Sequence, residues 1–273
     1  MPSIRKAQKT RGGSRLKAPG KDAQGSRLKA EGKSINLEPS ASNLEQYNQP
    51  SALIITIDGP AGAGKSTVAK RLAQRMGLTY LDTGATYRAL AYAAVKAGLN
   101  TTTDIASLSR LARHLPLRLR PTSHGGVQVL LGGVDITREI RTEEVSEAAA
   151  QVSQHPPVRA AMVALQRQLA NHHGVVVEGR DTGSVVFPHA KHKFFLKADA
   201  AIRARRRQEE LAQLYGRRPP LTQVRAQLHF RDSLDQTRRV GPLVKPVGAT
   251  VIDTSHRSVT QVVQLMLRRI RAR

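Results

Sequence analysis

The sequence predicts an α/β fold, a parallel sheet flanked by helices, and three observations predict it. From Leu53 onward, short apolar runs rich in β-branched residues alternate with longer segments of helical periodicity. The first of these runs breaks into a glycine-rich loop that ends in Lys-Ser-Thr and opens a helix. Five runs share this character: Leu53–Ile57, Thr79–Leu81, Val175–Val177, Lys193–Leu196 and Thr250–Ile252. They make a five-stranded sheet whose crossovers are helical.

The 273 residues, 40% of them hydrophobic, suit one large α/β domain or one with a small insertion. Aromatics are only 3% and Trp is absent, so the core must be aliphatic. The lack of cysteine excludes disulfides and thiolate metal sites. No apolar run approaches a membrane span, and the start of the chain lacks a signal-peptide stretch. These features lead to the expectation of a soluble cytoplasmic protein; a monomer is the expected state, though no sequence feature fixes it.

Residues 1–50 read as a disordered basic extension. Ten Lys/Arg stand against four Asp/Glu, and Ser14-Arg-Leu-Lys-Ala18 recurs as Ser26-Arg-Leu-Lys-Ala30. The formal charge of the whole chain is +24, most of it outside this segment. No zinc-finger, RRM-like or KH-like signature accompanies it. Weak, non-specific polyanion binding by residues 1–50 is the corresponding expectation.

The loop after the first strand runs Gly59, Pro60, Ala61, Gly62, Ala63, Gly64, Lys65, Ser66, Thr67. It fits G-x-x-x-x-G-K-[ST] in its required context of strand, loop and helix start. Glycines let backbone N–H groups turn inward around phosphate oxygens. Lys65 adds a point charge on the outer phosphates, and the Ser66 hydroxyl is a Mg²⁺ ligand. The helix over Lys65–Met76, stopped by Gly77, aims its positive end at the same anion. The motif implies a nucleoside triphosphate without naming the acceptor.

Next come the strand Thr79–Leu81 with Asp82-Thr83 after it, then a helix from about Tyr87 to Lys96, with Arg88 near its start and Gly98 as the stop. The block 105–170 differs in character. Leu117–Arg120, Val127–Leu131 and Val134–Ile136 are short β runs around glycine pairs, a small antiparallel meander. Helices are expected at about Thr142–Ser153 and Pro157–Ala170. The block reads as an insertion that binds the acceptor.

Charges then sit where apolar residues should. Val175-Val-Val-Glu-Gly-Arg-Asp181 is an apolar strand that ends in Arg180 and Asp181, at the carboxyl end where open parallel sheets bind ligands. Arg203, Arg206 and Arg207 share one face of the helix opening at Asp199, a like-charge cluster that a phosphate chain would relieve. A solvated basic face is the competing reading. For a helix over Thr222–Arg239, capped by Thr222 and stopped at Gly241-Pro242, projection puts Arg231, Asp235 and Arg238 on the inward face with Val224. Buried arginine needs a carboxylate or a bound anion. That face therefore carries either a structural ion-pair network or a phosphate-bearing ligand.

Together, Ile57-Asp-Gly-Pro-Ala-Gly-Ala-Gly-Lys-Ser-Thr67, Leu81-Asp-Thr-Gly-Ala-Thr-Tyr-Arg88, Ile140-Arg-Thr-Glu-Glu-Val145, Glu178-Gly-Arg-Asp-Thr-Gly183 with Val186-Phe-Pro188, Arg231-Asp-Ser-Leu-Asp-Gln-Thr-Arg238 and Ile252-Asp-Thr-Ser255 resemble bacterial-type cytidylate kinase. The resemblance covers about residues 52–272 and implies phosphorylation of CMP and dCMP with ATP and Mg²⁺. It implies a P-loop NMP-kinase-like fold: a parallel five-stranded sheet flanked by helices, an inserted α+β monophosphate-binding lobe (105–170) and a lid (200–230), all within 51–273.

Carried over position by position, Gly59–Thr67 would bind the ATP phosphates, and Thr83, Arg88 and Arg159 would contact CMP. Arg180 and Asp181 would contact its base and sugar or phosphate, and Arg231, Asp235 and Arg238 would make the remaining contacts. Arg203, Arg206 and Arg207 would be lid arginines. Lys65, Arg180, Arg203 and Arg207 are the expected catalytic residues.

Two positions depart from the family pattern. A serine is often found where this chain has Ala150, so its contact with cytosine is missing or supplied by Ser153. Gly248 replaces an acidic residue before the last strand. Another P-loop small-molecule kinase, or a basic nucleotide-dependent RNA-binding protein, are the alternatives.

Overall fold

The computed structural model describes residues 53–122, 126–170, 174–216 and 218–272. The expected extension 1–50 lies outside the described residues. β1 (Ile54–Asp58) occupies the middle of a five-stranded sheet of order β2-β6-β1-β7-β8, in which every pairing is parallel. Its partners are β2 (Thr79–Asp82), β6 (Val175–Gly179), β7 (His192–Lys197) and β8 (Thr250–Asp253). The register aligns Asp58 with Gly179 and Asp82 with Glu178, so three polar strand ends stand side by side.

Side-chain alternation splits the sheet's apolar residues between two faces. On one face Ile55, Ile57, Val176, Phe194 and Leu196 pack against α1 (Lys65–Met76) and α8 (Val259–Arg271). On the other, Leu81, Val175 and Val177 form a smaller cluster with Ala170. The core is aliphatic apart from Phe194 and Tyr80, in keeping with the composition.

α2 (Thr83–Lys96) starts four residues earlier than the periodicity suggests. Asp82 is its N-cap and accepts from the Ala85 N–H at 2.9 Å, and Gly84 inside the first turn hid the start from the sequence pattern. Next come α3 (Ile105–Arg113), which the sequence did not announce, and an antiparallel sheet of β3 (Leu117–Pro121), β4 (Val127–Leu131) and β5 (Val134–Asp135). A 3-10 turn at Glu139–Arg141 leads to α4 (Glu143–Val152), capped by Thr142, and α5 (Pro156–Leu169). α2, α3, α4 and α5 share one apolar cluster centred on Leu90, Leu108, Val152 and Met162.

The last pair is α6 (Ala200–Tyr215) and α7 (Leu221–Thr237). α7 begins after Pro220 rather than at Thr222, because the proline's fixed backbone sets the helix entry. It ends at Thr237, so Arg238 is its C-cap and lies outside the regular helix. The buried positions of α7 are Val224, Leu228, Asp232 and Asp235. The inward stripe is thus rotated from the projected one, bringing in Asp232 and leaving Arg231 half-buried.

Candidate active site

The loop between β1 and α1 is shaped by backbone approach. Gly59 has φ +148°, and a Cβ there would lie 2.1 Å from the Leu196 carbonyl oxygen on β7. Gly62 has φ +73° and faces the Arg203 carbonyl, which a Cβ would approach to 2.9 Å. Only glycine fits either place. Lys65 opens α1, is buried, and donates from Nζ to the Pro60 carbonyl at 2.8 Å. Burial pulls its pKa down to about 7, with Arg180 pushing the same way and Glu178 opposing.

A cleft of about 770 Å³ opens beside this loop. Ala61, Gly62, Lys65, Ser66 and Thr67 line its loop side. Thr83, Arg88, Arg180 and Asp181 line the strand-end side, and Arg231, Asp235 and Arg238 come in from the region of α7. Of the three α6 arginines, only Arg207 reaches the lining, paired with Glu210 at 2.9 Å. Arg206 donates to the Thr254 hydroxyl at 3.0 Å and carbonyl at 2.6 Å. Arg203 donates to the Ala61 carbonyl at 3.0 Å and to Asp232 Oδ2 at 2.5 Å. Each arginine thus has its own protein partner, and the three do not form a bare like-charge cluster. Gly59, Pro60, Ala63 and Gly64 shape the loop from behind the cleft surface, with the Ala63 carbonyl accepting from Thr254 Oγ1 at 3.0 Å.

On the strand-end side, charges are paired in a chain. Arg88 Nη2 donates to Asp82 Oδ2 at 2.9 Å, and Thr83 Oγ1 donates to the Glu178 carbonyl at 2.7 Å. Arg180 Nε donates to Asp235 Oδ2 at 2.7 Å, and Arg238 stands 3.6 Å from the other Asp235 oxygen. Burial works against the Asp235 carboxylate, but Arg180, Arg238 and Arg231 hold its pKa below the usual range. Arg159 is fully buried behind this wall, bonded to the Asp181 carboxylate, with its guanidinium 5.7 Å from the Tyr87 ring centre. Arg231 makes no ion pair among the described residues; burial and the nearby Arg180 draw its pKa down to about 10.

Several donors here are buried with no partner: the Nε groups of Arg88, Arg159 and Arg238, and the Tyr87 hydroxyl. Buried polar groups are rarely left unmatched outside functional sites. A free arginine and a group of orphaned donors around one cleft suit a polyanionic, hydrogen-bonding ligand.

Reasoning from the sequence missed several residues. Asp58, at the end of β1, accepts from the Thr182 N–H, the Thr182 hydroxyl and the Gly183 N–H, each at 2.8 Å. Burial pushes its pKa up to about 6, and those hydrogen bonds hold it from rising further. Glu178 is buried, accepts from the Tyr80 hydroxyl and is hydrogen-bonded by Ser66. Burial and the neighbouring Asp82 raise its pKa. The signal was present: both acids terminate apolar strands, as Asp181 nearly does. Ser153 Oγ donates to the Ala150 carbonyl at 2.8 Å, and both residues line the cleft.

A hydroxyl beside two carboxylates, Ser66 with Glu178 and Asp82, is a hard-oxygen donor set. Among the described residues no group of three His, Asp or Glu could hold a metal alone. The set therefore fits an ion held jointly with phosphates, the usual habit of Mg²⁺. No helix among the described residues is long and apolar enough to cross a membrane.

The chain matches the family model for cytidylate kinase over residues 55–272. It is 46% identical to a cytidylate kinase of Pelotomaculum thermopropionicum over 80% of this chain and 96% of that one. With a cytidylate kinase of Geobacillus kaustophilus the identity is 48%, over 78% of this chain and 94% of the relative. With cytidylate kinase 1 of Haemophilus influenzae it is 42%, over 79% and 92%.

Proposed function

This chain belongs to the cytidylate kinase family, and from that premise we propose how its residues transfer the ATP γ-phosphoryl group to CMP or dCMP. The observation that carries the reading is a single cleft with the phosphate loop on one side and Arg88, Arg180, Arg231 and Arg238 on the other. A triphosphate and a monophosphate would meet across it.

An oxygen of the CMP 5′-phosphate attacks the γ-phosphorus in line, and the bond to the β–γ bridging oxygen breaks, giving CDP and ADP. The acceptor is already an anion at neutral pH, so no general base is needed. The residues position and neutralise charge. Gly59–Thr67 hold the donor phosphates, with Lys65 shared between them and the transferred group. Arg207 faces the same group from α6. Arg206 and Arg203 support the loop through Thr254 and Ala61. Arg88, Arg180 and Arg231 hold the acceptor phosphate, with Asp82 and Asp235 fixing two of these guanidinium planes. Ser66, with Glu178 and Asp82 behind it, would hold a Mg²⁺ ion, which would supply charge neutralisation on the polyphosphate.

Thr83, Arg159, Asp181 and Arg238 form the base and sugar end. The Ser153 hydroxyl donates to the Ala150 carbonyl, which leaves its oxygen able to accept from the amino group of cytosine. Residues 200–230 act as a lid that excludes water during transfer. Two contacts reach from this region towards the insert: Tyr215 to the Arg141 carbonyl at 2.6 Å, and Gln227 to Glu143. The reading keeps a cytoplasmic monomer as the working form and weak polyanion binding by residues 1–50. A coupled ADP-release assay across CMP, dCMP, UMP, AMP and shikimate tests it. CMP and dCMP are expected to turn over with the highest kcat/KM, and a preference for UMP, AMP or shikimate would overturn it.

A further inference from the structure

Asp232 does not line the cleft, yet both of its carboxylate oxygens are engaged. It is buried on α7, next to Arg231, and its side chain turns away from the cleft towards the phosphate loop. Oδ1 accepts the Ala61 N–H at 3.3 Å, and Oδ2 accepts Arg203 Nη1 at 2.5 Å. The same Arg203 nitrogen donates to the Ala61 carbonyl at 3.0 Å, and Nε donates to the Ala198 carbonyl at 3.2 Å. The backbone N–H and C=O of Ala61, which belong to two consecutive peptide units, are thus both held by one ion pair. Its methyl group is packed with Ala204, Val224 and Leu228 in a small core shared by the loop, α6 and α7.

We propose that Asp232 is a positioning residue: through Arg203 and Ala61 it fixes the phosphate loop at a set distance from the acceptor-binding residues carried by the same helix. α7 presents Arg231 and Asp235 to the cleft, and Asp235 in turn orients Arg180. One turn of α7 therefore holds the acceptor side with Arg231 and Asp235 and the donor loop with Asp232. In-line transfer depends on that spacing, and a misplacement of about 1 Å costs about 100-fold in rate. The Arg203 guanidinium is engaged with the loop backbone, which makes it part of the clamp. The inference rests on the kinase reading above.

The experiment compares Asp232→Asn, Asp232→Glu, Arg203→Lys and the Asp232→Asn/Arg203→Lys pair with the unaltered chain. Asparagine keeps an acceptor for the Ala61 N–H while removing the charge that holds Arg203. Expected for Asp232→Asn are a kcat about 10- to 100-fold lower and a raised KM for ATP. CMP affinity measured by calorimetry without ATP should stay within about twofold. Asp232→Glu should restore much of kcat, and the double variant should be no worse than the more impaired single. A kcat and KM for ATP within twofold of the unaltered chain overturns the inference, whatever the melting temperature. So does a loss of CMP affinity as large as the loss of kcat. Should Asp232→Asn not fold, Arg203→Lys decides by the same criteria. If the unaltered chain itself fails to phosphorylate CMP, the kinase reading fails instead, which separates the two.

Discussion

Arg180, at the carboxyl end of β6, and Asp235, on α7, are joined by a 2.7 Å hydrogen bond in which Arg180 Nε donates to Oδ2. The bond ties the central sheet to a helix more than fifty residues further along. It also leaves the rest of the guanidinium facing the cleft. Burial opposes the charge of Arg180, but Asp235 holds its pKa above the ordinary arginine value.

Replacing Asp235 by alanine leaves Arg180 and Arg238 without their shared carboxylate. Truncating one partner of a buried charged pair costs about 2–5 kcal/mol. The expected result is a KM for CMP raised about 30-fold or more, with the KM for ATP changed less than threefold. Steady-state kinetics with each substrate varied in turn decides it.

Lys65→Ala removes the charge between donor and acceptor. Loss of a positioned charge of this kind costs about 100- to 1000-fold in kcat. CMP binding, measured by calorimetry without ATP, should survive within about threefold. Unchanged turnover would contradict the role given to the loop.

The depressed pKa of Lys65, about 7 against an ordinary 10.5, carries a pH signature. A bound polyphosphate restores the charged form, so nucleotide binding between about pH 7 and the raised pKa takes up a proton. ATP affinity should fall as pH rises above about 7, by up to about tenfold per unit. Titration at pH 8 in buffers of different ionisation enthalpy should show net proton uptake, and Lys65→Ala should abolish it. Stability has the opposite sign. The unfolded chain binds the extra proton between about pH 7 and 10.5, so this group's contribution to stability rises with pH across that window.

Ala150→Ser adds a hydroxyl at a cleft-lining position one helical turn from Ser153. The expected outcome is an increase of about 5- to 30-fold in the kcat/KM ratio of CMP over UMP, as befits one added hydrogen bond of about 1–2 kcal/mol. An unchanged ratio would show that the Ser153 lone pairs already set the preference.

The strands, the phosphate loop and most helices could be read from the sequence because their signals are local: β-branched runs, glycines at forced backbone angles, caps such as Thr142. The cleft-lining Arg180, Arg231 and Arg238 stood out in the sequence because charge broke an apolar pattern. Asp58, Glu178 and Asp232 were harder, since each is buried only by virtue of a partner distant in sequence: Thr182, Tyr80 and Arg203. The helical projection of α7 assumed that apolar residues alone define the inward face. The Arg203 pairing rotates that face by making an aspartate buriable. α3 was missed because its nine residues carry too few repeats to stand out.

The sheet order has a consequence for how the protein comes into being. β1 is made before its neighbours β6 and β7, which begin at Val175 and His192, and the register pairs Ile54 with Val175. A nascent chain that has not yet released β6 from the ribosome carries the phosphate loop on a strand with two open edges. Such edges invite pairing with other chains. The loop's tethers, Asp232 and Thr254, emerge later still. Translation must therefore run past Thr254 before the loop has all its contacts, and until then the open strand edges are exposed to aggregation.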